Sequence, residues 1–289
     1  MKKLFILFLP CLLLFLSCEE RMVVIPENSS TDSERAVLIE EFTGGACSAC
    51  PQGAALIKDL QTTYGKNVVA VAIHSTKVGP LGEPANGAKY NFQTEYGDQI
   101  ADYMSPITAI PAAVVDRKLF QGYDYAIIPF TAWSGLVVSE FDGEPEAEIG
   151  IAATYEGDTG VLNVSGNIIA RQNIEGDIRI ISYLTEGKII DKQVNGQVLE
   201  DEYEHNHVLR TVLNLPGKDA DVRGTSITSP IAEGEILPYE FAPLEFPKDE
   251  DGNLLWTPKN CHVIVFIVRY DQDTGEREVL QANEVSFIE

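Results

Sequence analysis

The stretch Ala36-Val37-Leu38-Ile39-Glu40-Glu41-Phe42-Thr43-Gly44-Gly45-Ala46-Cys47-Ser48-Ala49-Cys50-Pro51 decides how the rest of the chain is read. Ala36 to Phe42 is an apolar, strand-like run and Pro51 to Leu60 is helix-like, so the C-x-x-C pair falls at a strand-to-helix turn. A sulfur at a helix N-terminus sits near unpaired backbone N–H groups and the positive end of the macrodipole, which favours the thiolate. Cys47 takes that seat; Cys50, one turn further on, is more shielded and suits a resolving thiol. Gly44 and Gly45 free the backbone to leave the strand, and Pro51 is tolerated in a first helical turn.

Glu41 lies six positions before Cys47, where a carboxylate under a dithiol could shuttle the proton of the second cysteine. The alternative is that Glu40 and Glu41 are strand-end charges, of which only one faces inward because strand side chains alternate. Further on, Ile110-Pro111 opens the strand-like run Ala112 to Asp116; such a proline is an ordinary trans start or a cis bond.

This order resembles the thioredoxin-like superfamily: strand, C-x-x-C, helix, strand (Val68 to His74) and a proline-led strand ending in Asp116-Arg117. The likeness covers roughly Ala36 to Phe141 and implies a cis Ile110–Pro111 bond packed beside Cys47 and Cys50. The family's usual aromatic residue before the first cysteine is Ala46 here. On that reading the candidate catalytic residues are Cys47, Cys50, Pro111 and Glu41. Two other readings of the pair stay open. One is a structural disulfide in an oxidising compartment; the other is a metal site with His74, for which four ligands are hard to find.

The compartment follows from the N-terminus, where Lys2 and Lys3 precede the apolar run Leu4 to Leu16, short for a membrane span and suited to a secretory signal. It ends in Phe15-Leu16-Ser17-Cys18, which resembles a bacterial lipobox, and that resemblance implies lipid on Cys18. Glu19-Glu20 resembles an acidic tag for outer-membrane and surface display, or is an ordinary charged tether. The expected partner is therefore a membrane, through the lipid anchor on Cys18, with a protein thiol or disulfide as substrate. With Cys11 in the signal, Cys18 lipidated and Cys47 paired with Cys50, Cys261 remains and reads as a buried small hydrophobe. A net charge of −23 over 289 residues argues against binding a phosphate backbone, so no nucleic acid is expected.

Four segments result: a signal at 1–17, a flexible tether at 18–35, an α/β unit at 36–143 and a β-rich unit at 144–289. In the third, the loop Gly79 to Pro84 precedes Ala88 to Met104, where Tyr90, Phe92, Tyr96, Ile100 and Tyr103 are spaced for an amphipathic helix. Its aromatics suit packing on the sheet better than a lid over the dithiol. Tyr125 to Phe141 reads as a closing helix, broken at Gly143-Glu144-Pro145.

From Ala147 onward the runs 147–155, 161–171, 177–185, 208–213 and 262–270 read as strands. Tyr155 to Gly160 and Tyr270 to Gly275 share a Tyr-x-x-Asp-Thr-Gly turn. The expected fold is thus an α/β thioredoxin-like domain followed by an all-β immunoglobulin-like sandwich domain. Glu40 to Gly44, the Cys47/Cys50-Pro51 pair and His205-Asn206-His207-Val208-Leu209-Arg210 resemble the Omp28-related outer-membrane lipoproteins over nearly the whole chain. That resemblance brings no secure catalytic activity.

His205 and His207, two apart, would share a strand face with Glu202 or Glu204 nearby, though a polar strand entry accounts for them better than a metal. Asp249 to Asn253 lacks the full EF-hand spacing and reads as a solvated turn. No metal and no cofactor is expected. Two functions compete: a membrane-tethered thiol–disulfide oxidoreductase, and a surface-displayed binding or adhesion lipoprotein with a structural disulfide.

Overall fold

A computed structural model describes residues 35–227 and 229–288; the signal at 1–17, the lipidation at Cys18 and nearly all of the tether lie outside the described residues. The first elements are β1 (Val37–Thr43), α1 (Cys50–Tyr64), β2 (Val68–His74), α2 (Glu95–Tyr103), β3 (Ala112–Val115) and α3 (Trp133–Ser139). Long strands follow: β4 (Ala147–Glu156), β5 (Val161–Ala170), β6 (Asp177–Glu186), β7 (Ile189–Asn195), β8 (Val198–His205) and β9 (Val208–Leu213). The last are β10 (Thr225–Ser226), β11 (Ile236–Glu240), β12 (Leu244–Glu245), β13 (Cys261–Tyr270) and β14 (Arg277–Ser286).

α1 forms where the sequence places it because Pro51 sits in its first turn, Gly65 ends it at φ 59°, and Gly53, Ile57 and Leu60 share one buried stripe. β1 and β2 pair in parallel, Val37 with Val68 through Thr43 with His74, and β3 runs antiparallel to β1. α2 is shorter than its apolar spacing suggests. Thr94 starts it by accepting a hydrogen bond from Gly97 N–H at 2.9 Å, leaving 88–94 as loop. The expected helix from Tyr125 shrinks to α3, because Ile127 instead pairs with Ala113 of β3 and Pro129 follows in extended conformation.

The expected fold class does not hold. The protein is mostly β with mixed sheets, and β1, β2 and β3 are not the sheet of a separate α/β domain. They continue an eight-stranded sheet in the order β14-β13-β6-β9-β2-β1-β3, with β10 against β6. The join is parallel pairing of Ala72 with Val208, where Ala72 N–H donates to His207 O at 2.7 Å. Nor do the later strands form a self-contained sandwich. β4, β5, β11 and β12 make a second sheet that packs on β6, β13 and β14, strands of the same sheet that carries β1. The sequence misses this because alternation reports which residues are buried, while sheet order is set by contacts far apart in the chain.

One face of the large sheet carries a continuous core, from Leu38, Phe42 and Val71 to Tyr183, Phe266 and Val279, covered by Ile100 and Met104 from around α2. Its other face is divided between α1 and α3, over Ile39, Val68 and Val115, and the second sheet, over Ile180, Val265 and Leu280. The sheet curls enough that Val279 N–H of β14 donates to Asp116 O, just past β3, at 2.8 Å. At the centre, Arg117 holds Glu40 through two hydrogen bonds of 2.9 Å and donates to Val222 O at 2.9 Å, while Tyr183 donates to Glu40 at 3.0 Å. The Arg117 and Glu40 side chains are fully enclosed, a state tolerated because nearly every lone pair and proton of the pair is used.

Candidate functional site

Cys47 and Cys50 are joined by a disulfide with an S–S distance of 2.08 Å. Both sulfur residues are buried, at 1% and 2% exposure, although Ser48 between them is exposed. Gly44 and Gly45 do more than free the chain. A Cβ on Gly44 would stand 2.1 Å from Leu81 O, and one on Gly45 2.6 Å from Ala85 N, so the loop after β2 closes on the turn. The Ile110–Pro111 peptide is cis and Pro111 is buried at the start of β3. Cys47 Sγ lies 3.7 Å from Ile110 O. With no proton on a disulfide sulfur, this is a packing contact.

The β7–β8 hairpin covers the same turn. Val194 N–H donates to Gly45 O and Gly196 N–H to Ser48 O, both at 2.9 Å. The buried Gln193 amide donates to Gly44 O at 3.2 Å, Cys47 O at 3.0 Å and Val194 O at 2.9 Å. Asp191 anchors the hairpin base by accepting from Lys89 and Tyr90 N–H at 2.9 and 2.8 Å. Neither strand shows in the sequence as a partner of the C-x-x-C turn, because the hairpin lies about 150 residues away and is half exposed, with a weak apolar pattern.

Glu40 and Glu41 are both buried, against the expectation that one would face out. Alternation holds, but this sheet is covered on both faces, so Glu40 points to Arg117 and Glu41 to the side of α1. Gly53 of α1 makes the room: a Cβ there would meet Glu41 Oε1 at 2.7 Å. Glu41 Oε1 has no hydrogen-bond partner. Burial pushes its carboxyl up to about 8 from an ordinary 4.5, so it carries a proton at neutral pH. Glu41 and Cys50 line one cavity of about 560 Å³, with Pro51 and Ala54 of α1, His74 of β2, and Gln193, Tyr203 and His205 of the hairpin. The Tyr203 hydroxyl is pushed up to about 12, first by burial and then by Glu41.

His205 and His207 do not share a face. His205 ends β8 and packs on Phe92 and Tyr203, with ring centroids 4.8 Å from each, whereas His207 turns the chain at φ 57°. His205 instead meets His74, 6.5 Å away between ring centroids. Burial holds His74 down near 3 and His205 near 4, so both rings are neutral. Among the described residues no group of three or more His, Cys, Asp and Glu is placed to hold a metal ion. Cys261 is buried and free, its thiol pushed well up first by burial and then by Glu186.

A mostly β protein with mixed sheets, carrying a buried disulfide at a strand-to-helix turn, is the class that fold and site define. The chain belongs to the Omp28 family of outer membrane proteins, whose profile matches residues 98–287. That span includes His205 to Arg210 but begins after the C-x-x-C turn.

Two solved structures are similar in fold along most of the chain. HBP35 of Porphyromonas gingivalis is 19% identical with a TM-score of 0.61, covering 89% of this chain and 76% of its own. Protein AGR_C_4864 of Agrobacterium tumefaciens is 12% identical with a TM-score of 0.52, covering 88% and 95%. No curated protein sequence matches.

Proposed function

We propose that this outer-membrane family protein carries out thiol–disulfide exchange through Cys47 and Cys50, tethered to the membrane by lipid on Cys18. The observation that carries the reading is Glu41. A buried carboxyl with an unpartnered oxygen is costly, and a disulfide serving only as a staple gains nothing from one in the cavity it lines.

In the oxidised protein a substrate thiolate attacks Cys47 Sγ, forming a mixed disulfide and breaking the Cys47–Cys50 bond. Cys50 leaves as a thiolate and takes the proton of Glu41. A second substrate thiolate then attacks the substrate sulfur of the mixed disulfide and releases Cys47, so the substrate is oxidised and the pair reduced. In reverse, Cys47 attacks a substrate disulfide, Glu41 takes the Cys50 proton, and Cys50 resolves the intermediate. Pro111, with the Ile110 carbonyl beside Cys47 Sγ, shapes the edge a substrate would meet.

A second reading, a surface-displayed binding lipoprotein with a structural disulfide, is favoured by the near-complete burial of both cysteines beneath the β7–β8 hairpin. A Cys50→Ser variant separates the two. Exchange predicts that Cys47 of this variant accumulates as mixed disulfides with envelope proteins, and that Glu41→Gln slows reduction of the wild-type pair. If no mixed disulfide forms and the pair resists mild thiol reductants, the disulfide is structural.

A further inference from the structure

The cavity beside Cys50 holds more unsatisfied chemistry than an exchange reaction uses. Three buried side-chain atoms without a hydrogen-bond partner belong to its lining: Glu41 Oε1, His74 Nδ1 and His205 Nε2. Glu41 and His74 are 3% and 4% exposed, and they come from adjacent strands on the α1 side of the sheet. His205 reaches in from the hairpin. The Lys192 backbone beside it favours the charged ring but burial outweighs it and keeps the ring neutral, and Nε2 has no hydrogen-bond partner.

Native interiors rarely leave three such atoms unpaired around one space. Each of the three can accept a hydrogen bond, Glu41 through a carbonyl lone pair of its acid form, or as a carboxylate once a bound cation draws the proton off, and the histidines through a neutral imidazole nitrogen. No arrangement of three or more metal-binding side chains exists here among the described residues, which removes a metal as the common partner. A ligand group with several diverging N–H donors and a positive charge would satisfy all three at once. The walls suit its carbon stem, being Ala54, Ile57 and the Tyr203 ring. Glu204 adds a second carboxylate to the lining against one amine, that of the exposed Lys58, and the chain as a whole carries −23, which draws cations in. On its β9 side β2 is paired only at Ala72, with Val208; Ala70, two residues back and paired with Ile39 of β1 on its other side, is buried and lines the cavity.

We infer that this cavity is a binding site for an alkylammonium or alkylguanidinium group, held by Glu41, His74 and His205. The group belongs to a free small amine or to a basic side chain of a peptide, two sources of the same cationic head on an apolar stem. This goes beyond exchange chemistry and needs no change at the disulfide.

The test is calorimetric titration of the intact, oxidised protein, in the absence of thiols, with agmatine, an acetylated and amidated Ala-Arg-Ala peptide, neutral butylurea and anionic glutarate. The expected result is saturable one-to-one binding of agmatine or the peptide, at least tenfold tighter than butylurea and glutarate. Tighter binding of the peptide assigns the site to a basic side chain, and tighter binding of agmatine to a free amine. Ala54→Phe, which fills the cavity but keeps all three acceptors, should abolish binding, and His205→Leu should weaken it at least fivefold. Should Ala54→Phe fail to fold, Glu41→Gln takes its place with the same expectation. No binding at millimolar concentration, equal binding of butylurea, or binding that survives the filled cavity overturns the inference. Because disulfide exchange is absent from this readout, either outcome leaves the exchange reading to stand or fall by its own trapping experiment.

Discussion

Glu40 and Glu41 are consecutive in β1, yet their carboxyls are buried on opposite faces of one sheet in opposite electrostatic states. Glu40 is clasped by Arg117 at 2.9 Å, whereas Glu41 Oε1 has no partner and its group is held protonated by burial. The first is held in an enclosed ion pair; the second faces the cavity beside Cys50. The difference lies in what each face packs against: the Arg117, Tyr183 and Phe266 core on one side, α1 and the cavity on the other.

Removing Arg117 should therefore be severe. Arg117→Met leaves Glu40 buried without its counter-charge, and urea denaturation should show a loss of roughly 3–5 kcal/mol. The double variant Glu40→Leu/Arg117→Met should recover most of that loss, because it removes both desolvated charges. A single variant within about 1 kcal/mol of wild type would count against an enclosed ion pair.

Stability should fall as pH rises between about 6.5 and 8. Glu41 titrates near 8 in the fold and near 4.5 when unfolded, so its contribution is complete below pH 4.5 and is lost as pH climbs through 8. Asp116 and Glu284, each pushed up to about 7 chiefly by burial, act in the same direction. His74 and His205, held low by burial, act oppositely, but their contribution is complete above pH 6.5 and is lost only as pH falls from there toward 3 to 4. Each carboxyl adds a slope of at most about 1.4 kcal/mol per pH unit. Glu41→Gln should flatten the curve above pH 6.5; an unchanged slope would show that Glu41 is not protonated in the native state.

Gln193 should control access to the disulfide. Its amide touches Gly44, Cys47 and Val194 carbonyls, so Gln193→Ala removes about 1–1.5 kcal/mol from the contact between hairpin and turn. Reduction of Cys47–Cys50 by dithiothreitol, followed by thiol labelling, should quicken roughly tenfold if reduction requires the hairpin to part. Equal rates would mean that the reductant reaches the sulfurs by another path.

Cys18→Ser should abolish incorporation of labelled palmitate and move the protein from the membrane to the soluble envelope fraction. Retention in the outer membrane without label would require an anchor in the folded part, where, among the described residues, no helix is long and apolar enough to cross a bilayer.

Most of the local structure was legible in the residues. β1, α1, β2 and the strands β4, β5, β6, β9 and β13 lie close to where periodicity, Pro51 and the glycine turns put them, whereas β7, β8, β11 and β14 were not expected; of the three stretches that carried the Omp28 likeness, His205 to Arg210 lies inside the matched span and Glu40 to Gly44 and Cys47 to Pro51 lie before it. Of the spaced set Tyr90, Phe92, Tyr96, Ile100 and Tyr103, Phe92 and Ile100 are buried and Tyr96 and Tyr103 partly so, whereas Tyr90 is exposed. Of the site, the Cys47–Cys50 bond and the buried Glu41 could be foreseen. His205, Tyr203 and Gln193 could not be joined to them, since a half-exposed hairpin leaves no signal of what it covers.

The sequence by itself determined the turn chemistry: two cysteines three apart, placed by a strand, two glycines and a helix-starting proline, all within 20 residues of one another. Only the tertiary structure decided that the Ala72–Val208 pairing would merge both halves into one sheet, that Glu40 and Glu41 would both be buried, and that β7–β8 would close over the disulfide. The physical reason is range. Backbone preference and side-chain alternation act over a few residues, whereas these three outcomes depend on packing between segments some 80 to 150 residues apart, whose partners no local pattern names.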